Sequence, residues 1–143
     1  MNRSTGMNAG QVIGTMNGMQ VVGMDIAKHV FQLHTVDMGT GEISNVQIRR
    51  SAVVEHFANQ PECLIAIEAC GGAHHWAREL KQLGHTVRLL HAKAVRPFVA
   101  GNKTDATDAR AIWLAVQQPG VKFVGIPQIP LFLHGVQRQL HRG

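Results

Sequence analysis

The chain has 143 residues, 45% of them hydrophobic, and its 14 Lys and Arg against nine Asp and Glu give a formal net charge of +5. That is enough apolar matter for one domain with a core and too much for a disordered chain. No apolar run approaches the ~20 residues of a membrane span. Cys63 and Cys70 are too few for a disulfide framework and match no common zinc spacing, so both are expected as free thiols.

Residues 1–19, rich in Gly, Asn and Met, carry no apolar core like that of a signal peptide and are expected to be a flexible lead-in, which places the chain in the cytoplasm. Val21 to Ile26 reads as a short buried strand interrupted by Asp25. An acid inside a core strand is costly unless paired, hydrogen-bonded or metal-bound. Lys28 follows and could pair with it; the plainer reading has Asp25 at the strand end, capping the next turn. Phe31 to Val36 alternates, with Phe31, Leu33 and Thr35 on one side and Gln32 and His34 on the other, the pattern of a half-buried strand. A turn-rich stretch, 37–42, leads to a returning strand over Ile43 to Ile48, which ends at Arg49 and Arg50 on the surface.

Ser51 fits the N-cap of a short helix burying Val54 and Phe57. Leu64 to Ile67 is another buried strand, and Glu68 stands at its C-terminal end. It is the second acid to close an apolar strand, and ligands of open α/β sheets gather at such ends. Ala69 to Gly72 is a tight turn. Trp76, Leu80 and Leu83 then recur at helical spacing, with Gly84 as the stop. His74 and His75 are adjacent and face different ways on a helix, so a helix start or a substrate contact suits them better than one shared metal. Thr86 to Leu90 is a strand. His91 to Ala100 is a short helix or turn exposing Lys93 and Arg96.

The stretch Gly101 to Arg110 places Asp105 and Asp108 three residues apart where a helix of about 105–118 begins, with Ala109, Ile112 and Val116 as its buried stripe. Positions i and i+3 share a helix face, so the two carboxylates repel unless a cation or proton lies between them, a repulsion the helix N-terminus eases. Asp105 as an N-cap and Asp108 as a first-turn acid is the alternative reading. Lys103 and Arg110 flank the pair and could meet an anion. Val121 to Ile126 is a last strand, followed by an irregular tail over residues 127–143.

The order strand-strand-strand-helix-strand-helix-strand-helix, with the first three strands as an antiparallel meander, is the pattern of an RNase H-like α/β fold with a mixed sheet and flanking helices. Right-handed crossovers would set the later strands parallel to the first. Asp25, Glu68, Asp105 and Asp108 then come from separate segments that such a fold can gather. Four acids suit two hard cations, Mg²⁺ or Mn²⁺, which about 4 Å apart serve phosphodiester chemistry. With those four in one site, five acids remain against 14 bases. A basic surface around an acidic pocket suits a nucleic acid held by its phosphates.

The segments Gly23-Met-Asp-Ile-Ala-Lys28, Glu68-Ala-Cys-Gly-Gly-Ala-His-His-Trp76 and Asn102-Lys-Thr-Asp-Ala-Thr-Asp-Ala109 resemble the DEDD insertion-sequence transposases, the IS-one-ten family in its branch with a Glu-Ala-Cys-Gly-Gly motif. The resemblance covers about Val21 to Ile126, so residues 20–126 are expected to form the RuvC-like domain. It implies that Asp25, Glu68, Asp105 and Asp108 bind Mg²⁺ and that the chain cleaves and rejoins bacterial DNA in transposition. It also implies a structured guide RNA and a homo-oligomer as partners, with no membrane. Family members are more than twice as long and carry a second domain with a nucleophilic serine. The chain is therefore expected to be a truncated copy or an excised domain.

Two other readings compete. One is a nucleic-acid-binding fragment without catalysis, contacting phosphates through Lys28, Lys93, Arg96, Lys103 and Arg110. The other is a stand-alone RuvC-like junction nuclease. An actin-like or sugar-kinase domain also opens on a Gly-x-Asp strand, but it needs two related halves, for which the chain is too short.

Overall fold

The computed structural model describes residues 15–16, 18–101 and 105–127, without the side chains of residues 15, 16 and 105–107. The expected lead-in up to residue 14, most of the tail and Lys103 lie outside the described residues. The strands are β1 (Thr15–Met16), β2 (Met19–Ile26), β3 (Val30–Val36), β4 (Ile43–Arg49), β5 (Leu64–Glu68), β6 (Thr86–Leu90) and β7 (Phe123–Val124). The helices are α1 (Val53–Ala58), α2 (Ala73–Gln82), α3 (Ala92–Val95) and α4 (Asp105–Val116). Among the described residues no helix is long and apolar enough to cross a membrane.

The sheet runs β4-β3-β2-β5-β6-β7, with β1 paired antiparallel to the start of β2 inside the stretch expected as lead-in. β2, β3 and β4 form the expected antiparallel meander, and β5 and β6 lie parallel to β2. This is the mixed RNase H-like sheet that the element order predicts. β7 departs from it. It covers two residues rather than Val121 to Ile126, and it pairs antiparallel to β6. Gly120, at φ 76°, turns the chain back after α4, and Pro127 offers no N–H to prolong the ladder.

Each sheet face carries its own core. Val22, Met24, Phe31, Leu33, Ile65, Ile67, Val87 and Leu89 meet α1 and α2 on one face. Val21, Leu64, Ala66 and Leu90 meet α3 and α4 on the other. Burial on both faces is why β2 and β5 read as continuous apolar runs rather than alternating ones. α2 presents Ala73, Trp76, Ala77 and Leu80 inward at i, i+3, i+4 and i+7, and Gly84, at φ 99°, ends it.

Two local expectations fail for traceable reasons. Ser51 is not an N-cap. β4 continues to Arg49, a single 3₁₀ turn follows over Arg50–Ala52, and α1 starts at Val53. The later start rotates the helix, so Val53 and Phe57 are buried and Val54 is exposed. β3 is not half-buried either. His34, expected on its open side, is 2% exposed because α4 lies over that side. Its ring meets Trp113 edge to face, with centroids 5.4 Å apart, and its Nδ1 lies 2.8 Å from Asn45 Oδ1.

Candidate active site

The end of the sheet where β2, β5 and β6 finish collects most of the chemistry-bearing residues. Strand register sets the first pair. β2 and β5 run parallel with Val21 beside Leu64, Gly23 beside Ala66 and Met24 beside Ile67. The next step puts Asp25 beside Glu68. Side chains alternate faces along a strand. Asp25 and Glu68 therefore share the face of Val21, Leu64 and Ala66, which is the face that α4 covers. Both acids are half-buried. On the other side of Asp25 the antiparallel register sets Gln32 of β3.

Helix α4 brings the second pair. Its seat on β2 is fixed at two points. Trp113 Nε1 donates to the Val21 carbonyl at 3.1 Å. One turn earlier, the Ala109 carbonyl and the Trp113 backbone stand directly over Gly23, with no room for a Cβ. Four helical residues advance about 6 Å and two strand residues about 6.7 Å, so helix and strand keep step. The same stride carries the first turn of α4, Asp105 to Asp108, over Asp25. Asp108 is half-buried, and the Asp105 side chain lies outside the described residues.

The donor set is all oxygen, which fits a hard divalent cation rather than zinc or copper. Among the described residues no three of His, Cys, Asp and Glu converge closely enough to hold a cation. Asp25, Glu68 and Asp108 thus share one end and one face without closing a coordination sphere among themselves, and the Asp105 carboxylate is the donor not described.

The basic residues divide. Lys28 is exposed in the turn after β2, and Lys93 and Arg96 are exposed on the segment after β6, so all three rim the end that carries the acids. Arg110 is exposed on α4, close enough to His34 for its charge to help lower that imidazole's pKa. His74 and His75 begin α2. His74 is half-buried, and His75 is exposed with its ring edge-on to Trp76. Neither belongs to a ligand cluster among the described residues.

Sequence reasoning missed Gly23 and His34 as parts of this site's frame. An isolated glycine inside an apolar strand is a signal of close backbone approach and was available. No comparable signal announces His34.

No protein-family model matches the chain. Over 125 residues it is 44% identical to a probable family 20 transposase of Pseudomonas aeruginosa, a match covering 85% of this chain and 37% of that protein. It is 40% identical over 125 residues to the putative transposase y4pF/y4sB of Sinorhizobium fredii, covering 85% of this chain and 32% of that one. A transposase for insertion sequence element IS1111A of Coxiella burnetii is 36% identical over 110 residues, 77% of this chain and 30% of that protein. The chain thus spans about a third of the length of the curated relatives it matches. Among solved structures, T. thermophilus RuvC in complex with a Holliday junction substrate superposes with a TM-score of 0.50 at 13% identity, covering 74% of this chain and 99% of that one. That likeness concerns the fold.

Proposed function

We propose that the chain is the RuvC-like catalytic portion of an insertion-sequence transposase and that Asp25, Glu68, Asp105 and Asp108 hold one or two Mg²⁺ or Mn²⁺ ions for DNA strand cleavage and joining. What supports this reading is the parallel register of β2 and β5, which runs to Met24 beside Ile67, one residue short of Asp25 and Glu68, together with the seating of α4 over Gly23. Relatives named transposases along 85% of the chain support the choice of reaction.

A bound Mg²⁺ supplies Lewis-acid polarisation of the scissile phosphodiester. The chain's own residues do the rest. β2 and β5 are tied by their ladder, so Asp25 and Glu68 are presented on backbone that cannot drift. The positive end of α4 stabilises carboxylates at its first turn. Lys28, Lys93, Arg96, Lys103 and Arg110 hold the phosphates of the strand and keep it against the acids. The half-buried setting of Asp25, Glu68 and Asp108 excludes part of the solvent and strengthens their field.

From the family resemblance we also propose a structured guide RNA, a homo-oligomer and a serine-bearing second domain that completes strand joining.

The test is Mg²⁺ and Mn²⁺ titration by calorimetry on the wild type and on Asp105→Ala/Asp108→Ala, beside a nicking assay on branched and linear DNA. Metal binding that disappears in the double variant is the expected result. Nicking by the wild type would mean this portion cuts unaided, and binding without nicking would mean the chemistry waits for the second domain. Equal metal affinity in both proteins, or none in either, would remove the metal-dependent reading and leave the non-catalytic nucleic-acid-binding one.

A further inference from the structure

Arg49 and Arg50 have no part in the site described above, yet they line a hollow of about 680 Å³ with His29, Ser51, Val54 and Trp76. His29 lies in the turn from β2 to β3 and Arg49 ends β4, so the hollow opens at the sheet end where β2 and β5 finish. Its polar side chains are two guanidiniums, an imidazole and a hydroxyl, with no acid among them. Among the described residues no carboxylate is paired with either arginine. The Arg50 guanidinium lies over the Trp76 ring, 5.5 Å from its centroid. Such stacking holds an arginine in place while leaving its N–H fork free for planar oxyanions. The Arg50 backbone N–H donates to the His29 carbonyl at 2.8 Å, which closes the rim.

Two guanidiniums with no carboxylate in the lining select an oxyanion, and arginine forks match phosphate bidentately. All the lining residues but Val30 and Trp76 are exposed, so the hollow is open above. A small molecule is usually enclosed by its site, whereas a polymer passes over an open one.

We propose that His29, Arg49, Arg50 and Ser51 form a phosphodiester-binding site for a nucleic-acid strand at the sheet end that carries Asp25, on the side of α1 and α2. The inference deepens the transposase reading and rests on it for the identity of the polyanion. DNA and RNA carry the same phosphodiester, and the experiment separates them.

The experiment is fluorescence anisotropy of the full chain with labelled single-stranded DNA, duplex DNA and RNA of one sequence, at salt from about 50 to 200 mM. Arg49→Gln/Arg50→Gln is expected to bind all sequences more weakly and to flatten the plot of log K against log salt by about one to two. Arg49→Lys/Arg50→Lys should recover most of that slope. A larger loss on DNA would assign the site to the cleaved strand, and a larger loss on RNA to a guide. Since Arg50 packs on Trp76, Arg49→Gln alone, checked by its melting temperature, covers the case of a misfolded double variant. Wild-type affinity and slope in the glutamine variants would overturn the proposal. If that occurs while the wild type still nicks DNA, the hollow fails and the transposase reading stands. If binding falls as expected while Asp105→Ala/Asp108→Ala keeps its metal affinity, the hollow stands and the metal reading fails.

Discussion

Gly23→Ala is a one-methyl test of how α4 is seated on β2. A Cβ at position 23 would collide with the Ala109 carbonyl oxygen and stand 2.8 Å from both the Cβ and the N of Trp113. Those atoms are helix backbone or are fixed to it, so no flexible side chain can swing aside and α4 itself must lift from β2. Overpacking of this sort costs about 1–3 kcal/mol, and opposed backbones put it at the upper end. In a domain of this size about 3 kcal/mol lowers Tm by about 10 °C. The same displacement moves the first turn of α4 off Asp25, and misplacing a catalytic group by about 1 Å costs on the order of 100-fold in rate. The assays are thermal melting by circular dichroism and Mg²⁺ calorimetry, with Gly125→Ala as a control, since nothing lies within 4 Å of a Cβ there. The variant should melt early and bind metal weakly even at temperatures where it is fully folded. Wild-type melting and wild-type metal affinity in Gly23→Ala would refute the direct seating of α4 on β2.

Two further predictions concern buried side chains. Burial, helped by the Arg110 charge and opposed by the Asn45 hydrogen bond, holds the His34 imidazole below its ordinary pKa of 6.5. The unfolded chain then binds the proton more readily, so stability is full above about pH 6.5 and falls as pH drops toward the folded value. Urea midpoints at about pH 7.5 and pH 5 should differ less in His34→Asn than in the wild type, and an unchanged difference would refute the assignment. Burial, and secondarily the Glu62 charge, pushes the Cys63 thiol up to about 11, whereas Cys70 is exposed. A thiol reagent at about pH 8 should modify Cys70 alone in the native protein and both thiols in urea. Rapid native labelling of Cys63 would contradict its burial.

The meander and the later strands were legible because their apolar runs are short and bounded by turn residues. Asp25 and Glu68 stand out in the sequence for a physical reason: an ionised group that closes a buried strand needs a partner. Their shared sheet face is less legible. It depends on β2 choosing β5 as its parallel neighbour and on the register of that pair, and neither is encoded in local pattern. His34 misled because a strand's alternation reports polarity, not coverage. Asn45 meets the ring's hydrogen-bonding demand and Trp113 covers it, both from distant positions. Val54 and Val53 exchanged places through a single 3₁₀ turn, a shift inside the ordinary uncertainty of helix starts. Arg49 and Arg50 read as an ordinary strand end, since only the packing of α2 brings Trp76 beneath Arg50.

The two faces of β2 are covered at different moments in the life of the chain. As it leaves the ribosome, β2, β3 and β4 emerge first and can close as hairpins. α1 and α2 follow and cover Val22, Met24, Phe31 and Leu33. Val21, Gly23 and Asp25 wait for α4, whose last residue follows Ile26 by 90 positions. At about 5–20 residues per second, that wait is on the order of 10 s. Through that interval the nascent sheet exposes one bare face with an acid on it, and the proposed acid site cannot form until α4 has been made. A ribosome stalled before residue 105 would therefore hold a half-roofed sheet, open to chaperones and without the helix that the proposed acid site requires.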